Sequence, residues 1–266
     1  MRKHHPHWFI VLSFSLLLLP IAYLLLMPDL SKLKKENPKK TALMEYRETA
    51  SREKRRRFRM DQRWVSFSKI SPYLVKAVLI AEDDKFWRHE GFDYEAIRKA
   101  LEKDLKAKKF KFGGSTITQQ LARNLYLSPE KSLIRKISEA IITWRMEKVL
   151  SKKRILELYL NVAEWGEGIF GAEAASRHYY GKSSSELTPE EAARLASVLP
   201  NPRKYNPAGD QRYVTSRSNL IYSIMIQRGI VIPEYKEVTE SQESSFSEET
   251  VSDSPVSKEE NGTENR

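Results

Sequence analysis

The chain has 266 residues, with 46 Lys and Arg against 35 Asp and Glu, a formal net charge of +11 and no Cys. A disulfide framework is excluded, and the missing Cys leaves the compartment undecided. The surplus of bases points to a polyanionic partner: nucleic acid, anionic lipid or phosphates.

After a short segment at 1–7, residues 8–27 read WFIVLSFSLLLLPIAYLLLM, without a charge. At ~1.5 Å per residue such a run crosses a hydrocarbon core of ~30 Å as one transmembrane helix. Pro20 is tolerable in lipid, and Trp8 and Tyr23 suit an interface. The run exceeds the ~7–15 apolar residues of a signal peptide and no clear A-x-A site follows, so it is read as an uncleaved anchor. Arg2 and Lys3 precede it, whereas Lys32, Lys34, Lys35, Lys39 and Lys40 follow. That count alone would leave the rest of the chain in the cytoplasm. Residues 28–63, with REKRRRFRMDQR, read as a basic juxtamembrane linker, either solvated or lying on anionic head groups.

Residues 64–233 suffice for one core and read as mainly α. Helices are predicted at 71–83, 93–108, about 116–126, 131–150, 152–162, 170–180 and 188–199. Strand alternation is weak and no repeat is found. The first helix opens with Ser71 as N-cap and Pro72 at the first position, and Val75, Val78 and Leu79 give it a buried face. It ends in Glu82, Asp83 and Asp84, where a helix's negative pole disfavours carboxylates. In FGGSTITQQLARNLYL, residues 112–127, the glycines permit a tight path and Thr116-x-x-Gln119 has the capping-box pattern. A helix N-terminus behind glycines suits an anion, but the Lys-Ser/Thr pair of a Walker A loop is missing. Gln120, Arg123 and Asn124 share one polar stripe, which a solvated face would also produce. In the 131–150 helix, Ile134, Ile137 and Ile141, with Met146 as a further candidate, form the apolar stripe. Arg135 and Lys136 lie three to four residues before Glu139, a pattern that an exposed salt bridge also gives. From Glu234 onward ten acids face three bases, net −7, which leaves +18 for residues 1–233. That tail, 234–266, has too little apolar surface to order itself.

Taken together, EDDKFWRHEGFD, GGSTITQQLARN, RKISEAIITWRMEK, RILELYLNVAEWGEGIFGAEAASRHYYGK and LTPEEAARLASVLPNPRKYNP occur in this order between residues 82 and 207. They resemble the five motifs of the bacterial peptidoglycan glycosyltransferases, or transglycosylases, and most of all their monofunctional biosynthetic branch. An S-x-x-K match at residues 66–69 is followed by no K-T-G, so the transpeptidase domain of the bifunctional relatives is not expected. The resemblance implies a lysozyme-like α-helical domain with a small mobile lobe, to which residues 103–112 are candidates. It implies polymerisation of lipid II onto a lipid-linked glycan by an inverting β-1,4 transfer that releases polyprenyl diphosphate. The enzyme would be a single-pass protein of the bacterial inner membrane with its catalytic domain on the outer, periplasmic face, against the charge count. Other cell-wall synthesis proteins are candidate partners, and nucleic acid is not.

The same resemblance supplies roles. Glu82 would be the general base toward the acceptor's 4-hydroxyl, with Asp83 positioning the site and Phe86 and His89 shaping it. Ser115, Thr116, Gln120, Arg123 and Asn124, with Lys131, Arg135 and Lys136, would bind substrate, their cations on the departing diphosphate. Glu139 matches the family's second essential carboxylate, orienting those bases or holding a divalent ion. No cofactor is required beyond such a Mg or Mn. The family usually carries Lys where this chain has Arg123. A lytic glycan-cleaving enzyme and a membrane-anchored nucleic-acid-binding protein are the rival readings.

Overall fold

The computed structural model describes residues 28–55, 57–107, 114–130 and 132–231, without the side chains of residues 103–107. The expected anchor at 8–27, the acidic tail, Lys131 and most of the 103–112 lobe lie outside the described residues. Among the described residues no helix is long and apolar enough to cross a membrane.

The stretch expected as a linker belongs to the domain. Leu30 and Leu33 are buried in the main core, 1% and 6% exposed. A helix follows at Ala42–Glu53 (α1), opened by Thr41, whose hydroxyl accepts the Met44 N–H at 3.2 Å. Leu43 and Met44 on α1 close over Phe170. Asp61–Gln62 (β1) then enters a small sheet. The apolar positions Leu30, Leu33, Leu43 and Met44 are hidden among bases, so composition alone reads as solvated.

Helix α2 spans Pro72–Glu82, with Pro72 at its first position and Leu74, Val75, Ala77, Val78 and Leu79 buried. Ser71 does not cap it: its hydroxyl donates to the Leu187 carbonyl at 3.1 Å. Tyr94–Ala107 forms α3. Ile117–Tyr126 (α4) opens with the predicted capping box of Thr116 and Gln119. Leu133–Val149 (α5) and Lys152–Val162 (α6) follow, capped by Ser132 and Ser151. Of the expected stripe on α5, Met146 is fully buried, whereas Ile134 and Ile137 are 73% and 59% exposed, beside exposed Leu133 and Trp144. Burial otherwise falls on Ser138, Glu139, Ile142 and Thr143. The polar pair Glu139 and Ser138 turns inward, so hydrophobic spacing selects the wrong face.

Glu164–Gly166 (β2) and Ile169–Phe170 (β3) complete the sheet in the order β1-β3-β2, with β1 parallel and β2 antiparallel to β3. Gly171, at φ +85°, brings its Cα so near Asn161 that a Cβ would stand 2.7 Å from that carbonyl oxygen. Asn161 is buried and ties this corner together, its amide donating to the Val65 and Glu157 carbonyls and accepting the Val65 N–H at 2.9 Å. Ala172–Tyr180 (α7) and Pro189–Val198 (α8) match their predicted spans to within two residues. Arg212–Gln227 (α9) was not predicted.

Helices α2, α8 and α9 pack on one another, while α4 packs against α5, α6 and α1. Glu82, Gln120 and Arg217 come from α2, α4 and α9, where these groups meet.

Candidate active site

The three consecutive acids go three ways. Glu82, at the last turn of α2, has an 11% exposed side chain and receives the Gln120 amide on Oε2 at 2.8 Å. Its Oε1 has no hydrogen-bond partner among the described residues and faces Arg217 Nη2 at 3.9 Å. Asp83 turns inward: one oxygen accepts the Ile117 N–H at 2.9 Å, the other meets His89 Nε2 at 2.8 Å. It thereby holds the open N-terminus of α4, where a carboxylate satisfies both an orphan N–H and the helix dipole. Asp84 turns outward to the Arg228 guanidinium, with one contact at 3.0 Å. That partner holds its carboxyl below the usual range.

Burial pushes the Glu82 carboxyl up, opposed by the Gln120 hydrogen bond and by the Arg217 and Arg123 charges, with Asp83 adding slightly in the upward direction. Desolvation therefore outweighs the neighbouring acid as the cause. The upward direction is the one expected of a carboxylate disfavoured by a helix end, by burial and by neighbouring acids, and burial is the largest cause.

Gln120 is itself held. Its Oε1 accepts the Tyr159 hydroxyl at 3.0 Å, which leaves its NH2 pointing at Glu82. Tyr159 lies in the core, 1% exposed. The chain Tyr159–Gln120–Glu82 thus runs from core to cleft.

Several of the expected site residues are engaged within the fold. Phe86 is fully buried, with His89 and Trp87 edge-on to its ring and Lys152 Nζ 4.5 Å from its centroid. It shapes the site from beneath and has no surface to offer a ligand. The Thr116 hydroxyl is spent on the Gly91 carbonyl, 2.7 Å, and on the Gln119 N–H. Asp83 and His89 hold each other and α4. Asn124 is 9% exposed at the cleft wall, while Ser115 is half-buried at a cavity.

Two cavities flank the Glu82–Gln120 contact. One, of about 260 Å³, is lined by Glu82, Lys85, Lys99, Ser115 and Thr116 among others. The second, of about 290 Å³, takes in Gln120, Arg123, Asn124, Arg135 and Tyr159. The Arg123 carbonyl accepts the Leu127 N–H at 3.0 Å, but its guanidinium has no hydrogen-bond or ion-pair partner among the described residues and is available to an anion.

Glu139 is fully buried and receives Arg135 at 2.6 Å on one oxygen and Lys136 on the other. Among the described residues no group of three or more His, Cys, Asp and Glu is gathered as a metal site would require. With both oxygens engaged by cations, Glu139 suits orienting those bases and does not fit a Mg or Mn ion without displacing them.

Two functional candidates escaped the sequence reading. Arg217 on α9 faces the Glu82 carboxylate. Arg47 on α1 lines the second cavity with Arg123 and Arg135.

The family profile described as Transglycosylase matches residues 48–226. The chain belongs to the transglycosylase family. Among its relatives, a biosynthetic peptidoglycan transglycosylase of Nitrosospira multiformis is 49% identical over 194 residues, 73% of this chain and 84% of that one. Proteins of the same description from Dechloromonas aromatica and Azoarcus sp. are 55% and 56% identical over 170 and 169 residues. These cover 64% of this chain and 74% and 73% of theirs. The transglycosylase match begins inside α1 and ends one residue short of the end of α9, so it includes Arg217.

Proposed function

We propose that the protein is a peptidoglycan glycosyltransferase that polymerises lipid II into β-1,4-linked glycan and releases polyprenyl diphosphate. The observation that carries this reading is the Glu82–Gln120 contact between two cavities, one of them bearing unpaired Arg123. A transferase must hold an acceptor and a donor on either side of one base.

In this mechanism Glu82 takes the proton from the acceptor's 4-hydroxyl as that oxygen attacks the donor's anomeric carbon. The carboxylate is desolvated and fixed by Gln120, which suits it to proton abstraction. The α-linked diphosphate leaves from the opposite face and configuration inverts. Negative charge grows on the leaving group, and Arg123 and Arg135 stand where it would be met. Lys136 and Glu139 set the Arg135 side of that cation group, and no step runs through a metal ion. Asp83 and His89 keep α4, and with it Gln120 and Arg123, against α2.

The domain is read as lysozyme-like, with residues 8–27 as its anchor in the inner membrane and the catalytic side outward. Exposed Leu133, Ile134, Ile137 and Trp144 on α5 are consistent with apposition to lipid. Incubating the full-length protein with lipid II tests the reading: glycan polymer and polyprenyl diphosphate are expected. Absence of polymer, or cleavage of preformed glycan instead, would replace it with a lytic activity.

A further inference from the structure

Arg47 and Glu164, neither of them an expected site residue, form a part-buried ion pair at the second cavity. Both Nε and Nη2 of Arg47 donate to Glu164 Oε2, at 3.0 and 2.7 Å. The Glu164 side chain is 5% exposed, yet its Oε1 has no hydrogen-bond partner among the described residues. A buried acceptor left without a donor is costly, and a fold retains it where a ligand completes it. Both residues line the cavity that also holds Arg123 and Arg135.

The position is built. Glu164 opens β2, where it pairs with Phe170 of β3, and Phe170 is covered by Leu43 and Met44 of α1. The same packing that seats α1 therefore aims Arg47 at Glu164. Arg47 lies one residue before the span matched by the family profile.

The ligand chemistry follows from charge. A free carboxylate oxygen only accepts, and it repels a phosphate. The anion-binding end of this cavity is the one with Arg123 and Arg135, whose arginines suit a diphosphate. The Glu164 end calls for an uncharged group rich in donors. We propose that Glu164 is a specificity-determining residue that accepts a hydroxyl or acetamido N–H from a sugar of the lipid-linked donor. Arg47 acts through Glu164, as its positioning residue. This rests on the glycosyltransferase reading above and assigns a sugar contact within it. Burial also pushes the Glu164 carboxyl up, with Arg47 opposing, as expected of a carboxylate set in a water-poor wall.

The test compares two probes on the full chain in detergent: farnesyl diphosphate alone, and farnesyl diphosphate bearing the disaccharide without its peptide. In Glu164→Gln the amide oxygen turns to Arg47 and presents NH2 where an acceptor stood. Disaccharide-probe affinity should fall about tenfold, as for loss of one charge-assisted hydrogen bond, while farnesyl diphosphate binds as before. Arg47→Met should give the same pattern, and Arg47→Lys should restore most of the affinity. A purely structural role would weaken both probes together and lower the unfolding temperature. Equal loss for the two probes, or no loss for either, overturns the proposal. Should the wild-type chain make no polymer from lipid II, the functional reading fails, while the binding comparison still decides on Glu164.

Discussion

One guanidinium closes the end of α2 and faces the proposed base: Arg217 Nη2 donates to the Ala81 carbonyl at 3.1 Å and stands 3.9 Å from Glu82 Oε1. Around that carboxylate stand Arg217, Arg123, the Gln120 amide and the Asp83 carboxylate. The two cations favour its charged form, burial and Asp83 its neutral form. Burial prevails.

Arg217→Met should therefore raise the Glu82 pKa further. A base works only when deprotonated, so the acid limb of the kcat/KM profile should move to higher pH, with much of the activity recovered in alkaline buffer. The pH–rate profile of polymerisation checks this. A loss of equal size at every pH would mean that Arg217 serves only the helix end.

Tyr159→Phe removes one of the two hydrogen bonds that orient the Gln120 amide and leaves the one to Glu82. The amide is then held from the Glu82 side alone and loses its tie to the core. Folding should survive, since the ring remains in the core. A lost neutral hydrogen bond is worth about 0.5–1.5 kcal/mol, so the turnover rate should fall by roughly 2–12-fold with little change in KM. An unchanged rate would show that Gln120 holds its orientation without Tyr159.

The motif helices were legible because their signals are local. Thr116 and Gln119 form the capping box that their spacing announces, and Pro72 opens α2 as expected. What failed was long-range. Ile134 and Ile137 have helical spacing but lie on the exposed face of α5, because Glu139 is held inward by Arg135 and Lys136. Phe86 is fully buried and the Thr116 hydroxyl is engaged by the Gly91 carbonyl, facts of packing that the motif's spelling does not carry. Arg47 could not be told from the other bases of a basic stretch. A signal for α9 did exist: Val214, Ser218, Ile221 and Met225 fall at helical spacing, and all four are buried. That stripe would have given the helix, though not the meeting of Arg217 with Glu82, which depends on α9 packing against α2.

Arg123 separates charge from shape. Arg123→Lys keeps the cation, so polymerisation should persist at a substantial rate. Arg123→Ala should weaken donor handling by roughly 1.5–3 kcal/mol, the range of a charge-assisted hydrogen bond. Kinetics with lipid II at varied concentration distinguish the two. Equal activity in both variants would remove Arg123 from the diphosphate site.

Glu82→Gln decides the mechanism. The amide keeps the size of the side chain and can still accept the Gln120 donor on its oxygen, but it cannot take a proton at neutral pH. If Glu82 is the base, the rate should fall by about 10²–10⁴-fold. Binding of a lipid diphosphate should survive, because Arg123 and Arg135 lie on other elements. Stability supplies an independent reading. Burial raises the Glu82 pKa in the folded protein, so the fold holds this proton more tightly than the unfolded chain does. Its contribution to stability is then complete at pH below the unfolded value and is lost as pH rises through the folded one. At neutral pH the amide escapes that loss, and the unfolding temperature of Glu82→Gln should equal or exceed that of the wild type. The difference should vanish as the pH is lowered and the wild-type carboxyl becomes neutral. A variant that is folded, binds lipid diphosphate and is inactive makes Glu82 the base; one that polymerises at a near-normal rate places the base elsewhere.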